Sequence, residues 1–124
     1  MNIKQLQKIA HKYAVSKGFW GDGAKGGWHK SYYIKNRDVA GLLMLCVSEL
    51  GEACEALRSN KRQVHYNSKL RDKDWMKDTF EDELADTIIR ICDLAEAHDI
   101  DLEWQIEQKL KYNKERPEKH GKQF

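Results

Sequence analysis

The first 116 residues of this chain contain no proline; its single Pro stands at 117. A proline ring removes a backbone donor and clashes inside a helix, so its absence leaves almost the whole chain free to be helical. The apolar residues use that freedom. Ile3, Leu6, Ile9, Ala10, Tyr13 and Ala14 recur at helical spacing and predict an amphipathic helix over 3–17, stopped at Gly18. Val39, Leu43, Cys46, Leu50, Ala53 and Leu57 predict a second over 39–58, with Asp38 as N-cap and Ser59-Asn60 as its break. Phe80, Leu84, Ile88, Ile91 and Leu94 predict a third over 78–98. Leu102, Ile106 and Leu110 predict a fourth over about 101–115, closed by Pro117 and Gly121. Residues 18–37 carry five glycines with Phe19, Trp20, Trp28, Tyr32 and Tyr33, and read as an ordered but irregular loop. Residues 59–77 read as a polar linker. No alternating strand pattern interrupts the series. The expectation is an all-α, four-helix bundle forming one domain over 1–124.

Charge is sorted along this chain although its total is nearly balanced, 22 Lys+Arg against 20 Asp+Glu. Residues 78–107 hold eleven acids and one base, Arg90, while 1–38, 59–77 and 108–124 are basic. No run of eighteen apolar residues occurs, so no membrane span is expected, and the N-terminus lacks the apolar stretch of a secretory signal. Cys46, Cys54 and Cys92 are odd in number, lack CxxC spacing and lie in apolar helical patterns; they read as reduced core residues of a cytoplasmic protein. A short all-helical chain buries a modest core and gains from self-association, so a homo-oligomer, dimer or tetramer, is expected.

The second and third helices carry acids where a bundle wants apolar side chains. Leu42, Leu45, Glu49, Glu52 and Ala56 share one line, so two carboxylates continue a leucine row. Glu83 and Asp86 repeat the spacing on the third helix, followed on that line by Arg90 and Asp93. Burying such groups unpaired costs several kcal/mol. Two helices packed about 8–10 Å apart let four carboxylates converge on a divalent ion. Oxygen ligands without imidazole or thiolate suit Mg²⁺ or Mn²⁺, and Glu-x-x-His, which a di-iron bundle needs, is absent. The competing reading is a solvated acidic face. Glu55 extends the first row and reads as surface; Asp93 reads equally as a further ligand or as the ion-pair partner of Arg90. Gly21-Asp-Gly23-Ala-Lys-Gly26 matches a GxGxxG pattern, but no strand precedes it and no βαβ unit surrounds it. Nucleic acid is an unlikely partner for so evenly charged a chain without a recognition module.

Leu43-Met44-Leu45-Cys46-Val47-Ser48-Glu49-Leu50-Gly51-Glu52-Ala53 and Glu83-Leu84-Ala85-Asp86-Thr87-Ile88-Ile89-Arg90 together resemble the MazG-like, all-α nucleoside triphosphate pyrophosphohydrolases. That family pairs Glu-x-x-Glu on one helix with Glu-x-x-Asp on the next. The ending, from Lys109 through Tyr112-Asn113 and Arg116-Pro117 to Lys122, is similar to its closing segment, as is Lys17-Gly18-Phe19-Trp20 on the N-terminal side. The resemblance implies Mg²⁺-dependent cleavage of a nucleoside triphosphate substrate between the α and β phosphates. It implies Glu49, Glu52, Glu83 and Asp86 as metal ligands and catalytic carboxylates, with Glu49 or Glu52 orienting or deprotonating the attacking water. Lys109, Asn113 and Arg116 lie on one face of the last helix and are expected to hold phosphates or sugar. Trp20, Trp28, His29 and Trp75 are candidates to sandwich the base. The thirty residues between Glu52 and Glu83 exceed the family's usual spacing, so 59–77 reads as an insertion. The alternatives are a narrower dUTP- or dCTP-type pyrophosphatase on the same site, and a non-catalytic helical interaction protein.

Overall fold

Each long helix starts where a short polar side chain meets an orphan backbone donor. Asn2 and Gln5 exchange hydrogen bonds in a capping box, which opens α1 (Ile3–Ser16). The Asp38 carboxylate accepts from Gly41 N at 3.0 Å and opens α4 (Val39–Arg58). The Thr79 hydroxyl accepts from Asp82 N at the head of α5 (Phe80–Ala97), and Asp101 accepts from Trp104 N at the head of α6 (Leu102–Glu115). These helices belong to a computed structural model that describes residues 1–63 and 77–124. The described residues are all-α, with no strand among them. None of their helices is long and apolar enough to cross a membrane.

Helix boundaries depart from the periodicity at two places. The third long helix begins at Phe80 rather than 78, because Asp78 sits in the left-handed region (φ 59°) and Thr79 supplies the cap. The aromatic loop is more regular than its glycines suggest. It contains α2 (Asp22–Lys25), bracketed by Gly21 and Gly27 at φ 91° and 94°, and α3 (Lys30–Ile34), capped by the His29 side chain. Of the linker, residues 59–63 and 77 are described. Lys61 O accepts from Phe80 N at 2.9 Å and Glu81 accepts from Gln63 N at 3.0 Å, so the linker's two ends are fastened together. Trp75 lies outside the described residues.

Helix α5 occupies the middle. It runs antiparallel to α4, as those fastened ends require, and antiparallel to α1. Along the α1 seam Lys4 pairs with Asp101, the Gln7 amide donates to Ile100 O at 2.8 Å, and His11 meets Asp93 at 2.7 Å. Among the described elements, α6 packs chiefly against α1, and it has no buried residue.

The core between these helices is made chiefly of small side chains: Ala10, Cys46, Ala53, Ala56, Cys92 and Ala95, with Trp20 the one large buried apolar residue among those described. Much of the apolar periodicity points elsewhere. Leu43, Leu50 and Leu57 on α4, and Leu84, Ile88 and Ile91 on α5, are exposed, while part of the leucine-and-carboxylate row of α4, Leu42, Glu49 and Ala56, is turned inward and Leu45 and Glu52 of that row are exposed. Cys46 and Cys92 are buried, and burial pushes both thiols up. Cys54 is exposed, because it falls on the outward side of α4, and it is not the core residue its neighbours suggested.

The Asp38 cap is the most isolated of these start signals. Asp38→Ala is expected to lower stability by about 1 kcal/mol in a denaturant titration.

Candidate carboxylate site and adjoining cavity

Because part of the α4 row turns inward, its first acid enters the α4–α5 seam. Glu49 is 7% exposed and Glu83 is 5% exposed, an uncommon state for carboxylates. Glu49, Glu83 and Asp86 each offer an oxygen within 4.8 Å of the others. Glu83 is also within that reach of Asp78 and Asp82. The fourth expected ligand, Glu52, is exposed, stands outside the Glu49–Glu83–Asp86 group, and lines a smaller cavity of about 230 Å³ with Glu83, Asp78 and Lys61. Glu55 lines it too, paired with Arg58 at 3.7 Å on the exposed helix surface.

Among the described residues, Glu49 is the one member of the Glu49–Glu83–Asp86 group paired with a cation. Arg90, the lone base of the acidic block, donates to Glu49 through Nε. Burial is the largest single influence on Glu49 and works to raise it, but hydrogen bonding with Arg90, Glu52 and Glu83 together with the Arg90 charge outweighs it and holds the group below the usual carboxylate range. Glu83 has no such partner. Burial, then the neighbouring Glu52 charge, pushes it up to about 7, and its Oε2 is buried with no hydrogen-bond partner. Asp86 is raised as well, by burial and by the Asp82 charge. A buried acidic cluster with one orphaned oxygen is short of positive charge, and a hard divalent cation fits both the donor set and the deficit.

The cluster opens onto a cavity of about 350 Å³ among α1, α4 and α5. Glu49 and Asp86 form one part of its wall; Tyr13, Phe19 and Trp20 supply aromatic surface, and Lys17, Arg90 and Asp93 add charge. Its volume lies within the range of small-molecule sites. Trp20 is 4% exposed, and its indole donates to Asp93 Oδ1 at 2.9 Å. Asp93 is therefore neither a member of the acidic groups nor the partner of Arg90. It accepts from Trp20 and His11, and His11 Nε2 meets the Tyr33 hydroxyl at 2.9 Å. Residue spacing held no signal for His11 or for the Arg90–Glu49 pair; Arg90 stood out only as the single base among eleven acids.

The other expected substrate residues lie away from the cavity of their own chain. Trp28 is 64% exposed and covers Gly23, and His29 caps α3. Lys109 and Arg116 flank the Tyr112 ring at 4.8 and 5.3 Å, and Asn113 Oδ1 is buried without a partner. None of these three lines either cavity.

The two buried glutamates should answer pH in opposite ways. The folded protein keeps a proton on Glu83 that the unfolded chain releases near 4.5, so metal-free stability falls as pH rises from there to about 7. Glu83→Gln should remove that fall and give a higher melting temperature than wild type at about pH 8. Glu49 is depressed, so its contribution is present above its unfolded value and is lost as pH falls through its folded one. Glu49→Gln should lower the melting temperature at about pH 8, leaving Arg90 unpaired. No family model, curated protein or solved structure matches this chain at a significant level.

Proposed function

We propose that this chain is a MazG-like, Mg²⁺-dependent nucleoside triphosphate pyrophosphohydrolase that releases a nucleoside monophosphate and pyrophosphate. The observation that carries the reading is the buried Glu49–Glu83–Asp86 cluster, with its orphaned Glu83 oxygen, beside an aromatic-walled cavity. The motif resemblance of Glu49-x-x-Glu52 and Glu83-x-x-Asp86 supports it independently.

Glu49, Glu83 and Asp86 would hold the cation, with Glu52 closing the set from the rim. A bound Mg²⁺ or Mn²⁺ supplies neutralisation of the charge that builds on phosphate oxygens during phosphoryl transfer. Arg90 keeps Glu49 ionised and its carboxylate oriented. Glu52, solvent-facing beside the cluster, is placed to orient or deprotonate the attacking water. Trp20 and the apolar wall exclude water from the base end, and Lys17 adds positive charge to the same cavity.

Lys109, Asn113 and Arg116 enter this scheme through a second copy of the chain. The exposed rows Leu43, Leu50, Leu57 and Leu84, Ile88, Ile91 give α4 and α5 the apolar faces that assembly into a dimer or tetramer would cover. The same rows are what a non-catalytic helical interaction protein would present, and turnover separates the two readings.

Pyrophosphate release from a panel of ribo- and deoxynucleoside triphosphates is expected only with Mg²⁺ or Mn²⁺ present. Glu52→Gln and Asp86→Asn should each lower kcat by at least about a hundredfold while the fold, read by circular dichroism, persists. No turnover on any nucleotide, with a melting temperature unmoved by Mg²⁺, overturns the proposal. Light scattering should return a mass at least twice that of the 14.6 kDa chain, and Leu50→Glu with Ile88→Glu should reduce it to one chain.

A further inference from the structure

The cavity beside the carboxylates has two ends, and one face of α5 connects them. Asp86 lies in the acidic cluster; Asp93, seven residues on, lines the same cavity two turns away, about 10 Å along the helix axis. A nucleotide whose phosphates sit at Asp86 extends its base along that face toward Asp93. The inference rests on the pyrophosphohydrolase reading.

At that second end the protein presents an acceptor held in place by its own donors. Asp93 Oδ1 accepts from His11 Nδ1 at 2.7 Å and from Trp20 Nε1 at 2.9 Å, and Oδ2 accepts from the same indole at 3.2 Å. The Tyr33 hydroxyl at His11 Nε2 fixes the ring from behind. An ionised carboxylate has about four acceptor sites, so these donors leave Oδ2 with a free one. The indole N–H is spent on Asp93, leaving the Trp20 ring as cavity wall. Arg90 is engaged by Glu49, so it does not neutralise Asp93.

We infer that Asp93 reads the base, and that it selects nucleobases carrying an exocyclic amino group over those carrying a keto oxygen at the same place. An amino N–H meets the carboxylate as a donor meets an acceptor. A keto oxygen there faces a negative charge and leaves a part-buried acceptor site unpaired, a mismatch that polar sites reject. Cytosine and uracil differ at this exocyclic group and, with it, in whether ring N3 accepts or donates.

The test compares kcat/KM of the full-length protein with Mg²⁺ for dCTP against dUTP, and for dATP against the purine deoxyriboside triphosphate that lacks only the amino group. Each amino-bearing member is expected to lead by at least about tenfold, one good hydrogen bond's worth. Asp93→Asn presents an N–H in place of an oxygen and should bring dCTP and dUTP within about threefold or reverse their order. Asp93→Glu keeps an anion for His11 and Trp20, and should retain a larger dCTP preference than Asp93→Asn. A wild-type ratio near one overturns the inference whether or not either variant folds, and so do equal ratios in the two variants. Turnover without base discrimination leaves the pyrophosphohydrolase reading intact; absence of all turnover overturns that reading instead.

Discussion

A carboxylate buried without a counter-charge sets the terms for the rest of this molecule. Glu83 lies between α4 and α5 beside Glu49 and within the influence of Glu52, and the Arg90 guanidinium is taken by Glu49. Apolar side chains in the same positions would pack with no such penalty. The fold instead holds an arrangement that is costly when empty and relieved by positive charge, with Glu83 pushed up to about 7 in the meantime. That tension lies at the seam between the helices, and the cavity opens beside it.

Helix α5 carries most of the consequences. Its inward line runs Glu83, Asp86, Arg90, Asp93, and each member meets a different demand. Glu83 and Asp86 join the cluster, Arg90 ties α5 to α4, and Asp93 ties α5 to α1 and to Trp20. One helical face therefore links the acidic centre, the helix pairing and the aromatic wall. Changes along it should couple, because neighbours in one polar network rarely contribute independently.

The price of pointing polar groups inward is a thin core. Alanine and cysteine fill the seams, and many of the larger aliphatic residues of α4 and α5, such as Leu43, Leu50, Ile88 and Ile91, are exposed. A single chain of this length has little apolar area to spare. Outward leucines and isoleucines at regular helical spacing are consistent with a surface completed by further copies of the chain, as the proposed function requires.

The sequence determined the elements. Periodicity located the long helices, Asp38 marked the start of α4, and the leucine row carrying Glu49 identified a helix that turns a carboxylate inward. These are local matters, governed by 3.6-residue spacing and by a side chain reaching a donor three residues on. Which apolar stripe becomes core was legible only in part: Cys46 and Ala53 are buried, whereas Leu43 and Leu50 in the same row are not. Burial depends on where a neighbouring helix lies, and one helix's spacing carries no record of that. The pairing of Arg90 with Glu49, the exclusion of Glu52 from the tight cluster, and the binding of Asp93 by His11 and Trp20 were decided by tertiary structure alone. Each joins residues far apart in the chain, and only the antiparallel packing of α1 and α4 on α5 brings them within hydrogen-bond reach.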